Sequence, residues 1–266
     1  MRRRWPIAVL SLASLVAAAP FAVMLLVALS PRAEPTIPHR LPSSLTFDNL
    51  AGVLATESFL RWTLNTAIYS AVSVAAVLLS AAMAGYVFAR KRFAGRNALL
   101  WSLLSTMMVP FHALLMPTMV VISRLGWSDT YWGLIVPTLA NAQAVLLLRQ
   151  FIRALPDEVF DAARIDGAGD WRIFRSIVLP LCRPVLATLG VFVFLWHWND
   201  FQWPLVVLRT DRMRTLTVGL STLESGHLTA PELMSAATVT GLPCLLVFVL
   251  VQRRLTSTIS FTGAGR

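Results

Sequence analysis

The sequence predicts an all-α membrane protein of six transmembrane helices, with a cytoplasmic helix–elbow–helix segment between spans four and five. Three observations predict it. Of 266 residues, 56% are hydrophobic and only 14% charged, and mean hydropathy is +0.67, too apolar a composition for a soluble domain of this length. Six stretches meet or approach the ~20 apolar residues that take a helix across a bilayer. The basic residues also fall on alternate sides of those stretches.

The elements follow in order. The first span is expected over 7–29. Arg2 to Arg4 ahead of an apolar run with Ala17, Ala18 and Ala19 are similar to a cleavable signal peptide. The run continues through Pro20 to Leu29, beyond a signal core, so an uncleaved span is expected. The connection from Ser30 to Arg61 carries Pro31, Pro35, Pro38 and Pro42, then "SSLTFDNLAGVL", a short amphipathic helix capped by Ser44 or Thr46. The second span covers 64–89, and "RKRFAGR" turns on the inside into the third, 98–122. "SRLGWSD" is an outside turn into the fourth, 131–152. The largest inside loop, 153–180, precedes the fifth span, 181–208. A mixed polar outside segment, 209–232, leads to the sixth, 233–251. Thr238, Thr240, Gly241 and Pro243 interrupt this last span, which neighbouring helices can tolerate by re-satisfying the freed backbone groups. With no internal repeat or low-complexity tract, residues 1–266 read as a single membrane domain.

The net charge of +10 reports orientation. With both termini in the cytoplasm, the inside segments hold Arg2 to Arg4, Arg90, Lys91, Arg92, Arg96, Arg149, Arg153, Arg164, Arg172, Arg175, Arg183, Arg253, Arg254 and Arg266. That is 16 of the 23 basic residues; the outside loops hold the other seven. This bias is the positive-inside rule, and shifting the topology by one span reverses it. No nucleic-acid motif competes for the charge. Cys182 and Cys244, the two cysteines, offer neither a disulfide framework nor metal spacing.

"DAARIDGAGDWRIFRSIVLP", 161–180, packs three Asp, three Arg and two Gly between apolar runs. Pro156, Asp157 and Glu158 suit a helix start, where the dipole favours acids. Val159, Ala162, Ala163 and Asp166 share a face by helical spacing, the two alanines allowing close approach. Gly167 and Gly169 stop this helix, and Asp170 opens a second with Trp171, Phe174 and Val178 as its apolar stripe. Two readings fit: an amphipathic segment lying on lipid, or a rigid protrusion for a cytosolic protein to grip.

"FLWHWNDFQWPL" is the second informative stretch. At ~1.5 Å per residue, Trp196 to Asp200 stand past mid-membrane, and in one continuous helix Trp196, Asn199, Asp200 and Trp203 share a face. An ionisable group at that depth belongs in the bundle interior, and aromatic faces beside Asn and Asp suit a polyhydroxyl ligand. The competing reading is an aromatic belt at the outer interface, with Asp200 in water. His112, His197 and Trp198 read as packing residues, Arg149 and Arg153 as snorkelling cations, and Arg90, Lys91 and Arg92 as a solvated inside cluster. The single lysine, Lys91, stands in no Gly-Lys-Ser/Thr loop, so the chain has no ATP site of its own. No set of His, Asp, Glu, Ser or Cys at a common depth suggests a catalytic or metal site, which argues against an intramembrane enzyme.

Asp161-Ala162-Ala163, three residues, Gly167, nine residues, Ile177, one residue, Leu179-Pro180 resembles the EAA signature of ABC importer permeases, with Asp for the usual Glu. The wider "LPDEVFDAARIDGAGDWRIFRSIVLPLCRP" is similar to the maltose-type carbohydrate permeases, in particular the shorter six-span partner. "FLRWTLNTAIYSA", "VPFHALLMPTMVVISRLGWSDTYWGLIVP" and "WHWNDFQWPL" resemble that family in the same order. His112 stands where Gln is expected, and "SFTGAGR" only loosely resembles the family's glycine-rich tail.

The resemblance implies a permease subunit of the prokaryotic inner membrane, half of a translocation pathway for a sugar or oligosaccharide, or for glycerol phosphate, a polyol or another solute on the same scaffold. It implies a second homologous permease, two ATPase subunits that bind the ATP and Mg, an extracytoplasmic solute-binding protein and surrounding lipid as partners, and no cofactor on this chain. Glu158, Asp161, Ala162, Ala163, Asp166, Gly167, Ile177, Leu179 and Pro180 are then the ATPase-coupling residues, and Trp196, Asn199, Asp200 and Trp203 line the pathway. The outside segment around Thr215 to Ala230 is either a contact for the binding protein or a plain connector.

Overall fold

The structure is a computed structural model that describes residues 4–31, 42, 44–224 and 229–263. Pro35 and Pro38 of the first connection, part of the segment around Thr215 to Ala230, and the end of the C-terminal tail lie outside the described residues. Every regular element among the described residues is helical: α1 Arg4–Ala28, α2 Asp48–Ala55, α3 Glu57–Arg90, α4 Arg96–Thr106, α5 Phe111–Arg124, α6 Tyr131–Ile135, α7 Ala142–Arg153, α8 Asp157–Ile165, α9 Asp170–Ile173, α10 Leu179–Leu181, α11 Arg183–Trp198, α12 Gln202–Val207, α13 Leu216–Glu224 and α14 Ala230–Gly263.

Three helices are by themselves long and apolar enough to cross a membrane: Trp5–Ala28, Glu57–Arg90 and Ala230–Val251. Three bent pairs raise the number to six if each counts as one span. The bends are 103° between α4 and α5, 44° between Tyr131–Thr138 and α7, and 74° between Asp170–Leu181 and α11. Each has a proline at or near it. Pro110 precedes α5, Pro137 sits in the 3₁₀ turn Val136–Thr138, and Pro184 is in the first turn of α11. A proline removes one backbone donor and collides with the carbonyl four residues back, so the chain changes direction there.

The fifth predicted span is corrected in the same way. Instead of one helix over 181–208, α11 ends at Trp198 and α12 starts at Gln202. In one helix through Asp200, Pro204 would remove the hydrogen bond to the Asp200 carbonyl and crowd it, whereas in the first turn of α12 its missing N–H is not needed.

The described residues sort into two compact units. The first takes residues 1–64 and 214–243. Here α1 is exposed along its whole apolar window, the pattern of a helix solvated by lipid. Its last carbonyls are satisfied from within the unit. Asn49 of α2 donates to Ala28 O (3.0 Å) and Ser30 O (2.8 Å), and Ser235 of α14 donates to Ala28 O (3.0 Å). Thr46 supports α2 by accepting from Asp48 N at 3.1 Å, while Phe47 takes the cap position. Gly219 lies against the Trp62 ring; a Cβ there would come within 2.1 Å of it.

The second unit takes residues 65–213 and 244–266. Its larger core joins Val77, Ala81, Ala82 and Tyr86 of α3, Leu148 and Ile152 of α7, Phe160 and Ala163 of α8, Ile173, Phe174 and Val178, and Val185, Leu189 and Val193 of α11. A smaller core holds Tyr69, Ile122, Leu134, Trp203 and Val207.

Gly219→Ala is expected to destabilise the first unit by about 2 kcal/mol, because a buried ring must move. Thermal unfolding of the purified protein, followed through tryptophan fluorescence, checks it.

Candidate functional site

The helix–elbow–helix segment forms as the sequence indicates, with one local difference. α8 starts after Pro156 with Asp157 and Glu158 in its first turn and ends at Ile165. Gly167 follows with φ +75°, the left-handed conformation that favours glycine, and Asp170 opens α9. The chain then widens into a π turn, Phe174–Val178, before α10. The second helix of the segment is therefore not one regular α-helix.

The residues expected to act together divide by burial. Phe160 and Ala163 face the core, whereas Glu158, Val159, Asp161, Ala162, Ile165, Asp166 and Gly167 are exposed. The face shared by Val159, Ala162, Ala163 and Asp166 is thus split, with Ala163 inward because it packs in register with Phe160 three residues before it. Ile177, Leu179 and Pro180 are half-buried in the turn and α10. Of the predicted stripe, Phe174 and Val178 are buried, but Trp171 stays exposed against the Phe174 ring, centroids 5.5 Å apart. Ile165, 86% exposed, and Trp171 stand out among carboxylates as bare apolar groups at the elbow.

Two residues read as solvated cations turn out to hold this segment. Arg90, at the end of α3, has only 11% of its side chain exposed. Its Nη1 pairs with Asp157, and its Nη2 donates to Ile152 O (2.9 Å), in the last turn of α7, and to Leu155 O, in the link to α8. The guanidinium lies 4.1 Å from the centroid of the Phe160 ring. Lys91 pairs with Asp170, the first residue of α9. Arg96 donates from Nε to Phe88 O at 3.1 Å, tying the following turn to α3. The signal for these roles was a basic pair at the end of one helix and acids opening two others, but pairing across 67 and 79 residues cannot be read from spacing.

The second site is a cavity of about 740 Å³ whose lining residues are drawn from three stretches, 106–118, 137–147 and 189–203. Phe111, Phe192, Trp196 and Trp203 give it aromatic surface. Thr106, Thr118, Thr138, Asn141 and Gln143 give it neutral hydrogen-bonding groups, and His197 and Asp200 are its ionisable ones. No arginine or lysine is among the described lining residues.

The break at residues 199–201 redistributes the four predicted pathway residues. Trp196 is 67% exposed and lines the cavity. Asp200 lines it too, accepting from Tyr69 Oη (2.9 Å) and from Trp203 N at the start of α12 (3.4 Å). Trp203 is buried in the smaller core, with Nε1 donating to Leu134 O at 3.1 Å, and is also among the lining residues. Asn199 is not in the lining; its Nδ2 donates to Leu195 O (2.8 Å) and reaches Cys244 Sγ (3.6 Å). His197 is a buried packing residue, as expected, bonded to Val193 O (2.7 Å) and Thr138 Oγ1 (3.1 Å) and edge-on to Tyr69. Thr138 and Tyr69 were not singled out in the sequence, because their partners, His197 and Asp200, lie 59 and 131 residues away.

A third constellation closes the turn between α5 and α6. Asp129 has φ +58°, and its carboxylate accepts from Arg209 N (2.9 Å), Thr210 N (3.1 Å) and Thr210 Oγ1 (2.7 Å), while its own N–H donates to Val207 O (2.9 Å). Burial raises the Asp129 pKa, but these hydrogen bonds and the Arg209 charge outweigh it and hold the carboxyl below its ordinary range.

The family described as "Binding-protein-dependent transport system inner membrane component" matches residues 76–260. The arabinooligosaccharides transport system permease protein AraQ of Halalkalibacterium halodurans is 38% identical over 225 residues, 84% of this chain and 80% of that protein. The lactose transport system permease protein LacG of Rhizobium radiobacter is 33% identical over 261 residues, 96% of this chain and 95% of that protein. The sn-glycerol-3-phosphate transport system permease protein UgpE of Pectobacterium atrosepticum is 38% identical over 186 residues, covering 69% and 66%. Among solved structures, a chain of a bacterial ABC transporter involved in import of the acidic polysaccharide alginate superposes with a TM-score of 0.83 at 24% identity, over 93% of this chain and 94% of that one, a likeness of fold.

A depressed carboxyl pKa makes the Asp129 clasp fully formed above the unfolded value of about 3.9 and lost as pH falls through the lower folded value. Protection of the Arg209 and Thr210 amides is therefore expected to persist from neutral pH down past the unfolded value and to be lost only as pH falls through the lower folded one. Asp129→Ala, which also leaves a non-glycine residue at positive φ, costs about 2 kcal/mol and exposes both amides at every pH. Asp129→Asn keeps an acceptor oxygen and removes the acid transition.

Proposed function

The chain belongs to the family of binding-protein-dependent transport system inner membrane components, and we propose that it is the permease subunit that carries a neutral sugar or oligosaccharide inward. As a transport component it is not an enzyme. In this reading the ATP and its Mg are bound by two separate ATPase subunits, a second homologous permease completes the pathway, and an extracytoplasmic binding protein delivers the solute. The elbow lies in the cytoplasm with both termini, in keeping with the 16-to-7 partition of basic residues.

The observation that carries the docking role is the elbow's exposed face. Ile165 and Trp171 are bare apolar groups ringed by Glu158, Asp161 and Asp166, on a helix whose inner side is anchored by Phe160, Ala163 and Arg90. An apolar anchor rimmed by charge, on a support already ordered, is what a partner cleft binds with little entropic cost. The alternative of a helix lying on lipid suits it less well, because Glu158 and Asp166 are exposed carboxylates that an anionic leaflet repels, whereas Asp161 and Asp170 are paired with Arg164 and Lys91.

The choice of a neutral solute rests on the cavity. Its aromatic faces and neutral donors suit sugar rings and hydroxyls. Its carboxylate, Asp200, is already occupied by Tyr69 and the start of α12, and a phosphate or uronate would find no arginine or lysine among the described lining residues.

The test is ATP hydrolysis by the assembled transporter in lipid discs, with its binding protein present. Arabino-oligosaccharide or lactose is expected to stimulate it and sn-glycerol-3-phosphate is not; stimulation by the phosphate alone overturns the neutral-solute assignment. Trp196→Ala should lower sugar uptake roughly fivefold, the loss of one aromatic contact of about 1 kcal/mol. Ile165→Asp, and Gly167→Val, which puts a β-branched residue at φ +75° and costs about 1–2 kcal/mol locally, should abolish uptake while the chain still reaches the membrane. Wild-type uptake by both variants would falsify the docking role.

A further inference from the structure

We propose that Arg90 and Lys91 are positioning residues that carry movement of the elbow into α3, and that the Tyr69–Asp200 hydrogen bond delivers it to the cavity. The inference rests on the docking role proposed above for α8 and α9, and deepens it by naming the path.

The chain offers a direct route from the elbow to the cavity, and it is a soft one. It runs from α9 through the π turn Phe174–Val178, the three-residue α10 and a 74° bend before reaching α11. A π turn and a proline-associated bend interrupt the regular hydrogen-bond ladder, so a displacement at α9 is absorbed before it arrives.

α3 offers a stiffer route. It is an unbroken 34-residue helix, and its last residue and the next hold one helix of the elbow each. Arg90 pairs with Asp157 at the start of α8 and stacks on Phe160; Lys91 pairs with Asp170 at the start of α9. Two grips on two helices restrain rotation as well as translation, which one ion pair cannot do. Arg90 also donates to the carbonyls of Ile152 and Leu155, so the end of α7, whose start lines the cavity, is held by the same guanidinium. Twenty-one residues back along α3, about 30 Å at ~1.5 Å per residue, Tyr69 donates to Asp200 in the break between α11 and α12. Tyr69 is fully buried, so motion of α3 at this level must move the group it holds. Asp200 is a cavity residue at the one point where the α11–α12 backbone is not helical, the place of least resistance.

The test follows the cavity directly and needs no transported solute. In the transporter assembled with its own ATPase, and on a Cys182→Ala, Cys244→Ser background, Phe192→Cys reports the cavity through its rate of maleimide labelling, with and without ATP plus vanadate. The parent is expected to change by about tenfold between the two conditions, a coupling of ordinary allosteric size. Lys91→Asp should reduce that change below about twofold while the ATPase still turns over, and adding Asp170→Lys should restore it. A pair that only stabilises the fold would lower yield or melting temperature and leave the change per assembled complex intact. Tyr69→Phe, which removes one hydroxyl from a helix that otherwise packs the same way, should give the same loss and decides the matter if Lys91→Asp fails to assemble.

A full nucleotide-driven change in Lys91→Asp or in Tyr69→Phe overturns the proposal, as does a loss in Lys91→Asp that Asp170→Lys does not repair. Ile165→Asp separates it from the docking role. If Ile165→Asp abolishes the change and Lys91→Asp does not, this path is wrong and docking stands. If Ile165→Asp leaves the change intact, docking itself is wrong and the path falls with it.

Discussion

One guanidinium joins the ends of three helices in this structure. At the end of α3, Arg90 faces carbonyls in the last turn of α7 and in the link to α8, the carboxylate that starts α8 and the ring that packs α8 down. A helix end leaves four carbonyls without intrahelical donors, and in the last turn of α7 the carbonyl of buried Ile152 takes its donor from Arg90. Arginine suits the place because its planar fork supplies several donors at fixed angles and never deprotonates. Its stem runs along apolar surface, so the charge can be nearly buried while every neighbour gains a partner. Lysine, with one compact charge, does the simpler task next door at Asp170. Without this arrangement the starts of α8 and α9 would lose their ties to α3, leaving the elbow held by the packing of Phe160, Ala163, Ile173, Phe174 and Val178 alone.

The same economy appears where helices break. The cavity is lined where α4 meets α5, where the 3₁₀ turn meets α7, and where α11 gives way to α12. A continuous apolar helix presents only side chains to its neighbours. A broken one also frees backbone donors and acceptors, and within a membrane such groups are tolerated where they are satisfied by protein or line a cavity. Asp200 shows how the break is held. Its carboxylate takes the N–H of Trp203 as a helix cap does, and takes the Tyr69 hydroxyl from across the bundle. The residue that first draws the eye as a ligand group is thus, before anything else, the clamp on a helix end.

Much of this was legible in the residues. The apolar runs, Gly167 and the acids that open α8 and α9 declare the helices and the elbow, because their causes are local. What escaped has non-local causes. The inward turn of Ala163 follows from packing on α3 and α7, not from any property of alanine. Arg90 and Lys91 resembled ordinary membrane-edge cations because their partners lie 67 and 79 residues away. The break after Trp198 had local signals: Pro204 disfavours a helix running through Asp200, and Asn and Asp side chains compete for backbone groups. The bulk hydrophobicity of 181–208 hid it, since hydropathy averages over a window wider than a three-residue break.

The charge pattern then has two causes that act together. A count of cations on alternate loops treats each as a free charge that resists translocation. Arg90, Lys91 and Arg96 are instead bonded, to Asp157, Asp170 and the Phe88 carbonyl. Helices that end at a membrane face expose carbonyls there, and cations are what satisfy carbonyls at a helix C-terminus. Acids, by the same dipole, collect where the next helices begin, as Asp157, Glu158 and Asp170 do. A loop that joins helix ends to helix starts will therefore fill with both signs and pair them. The excess of positive charge sets which side the loop takes, and the pairing decides whether it is a flexible tether or a shaped surface.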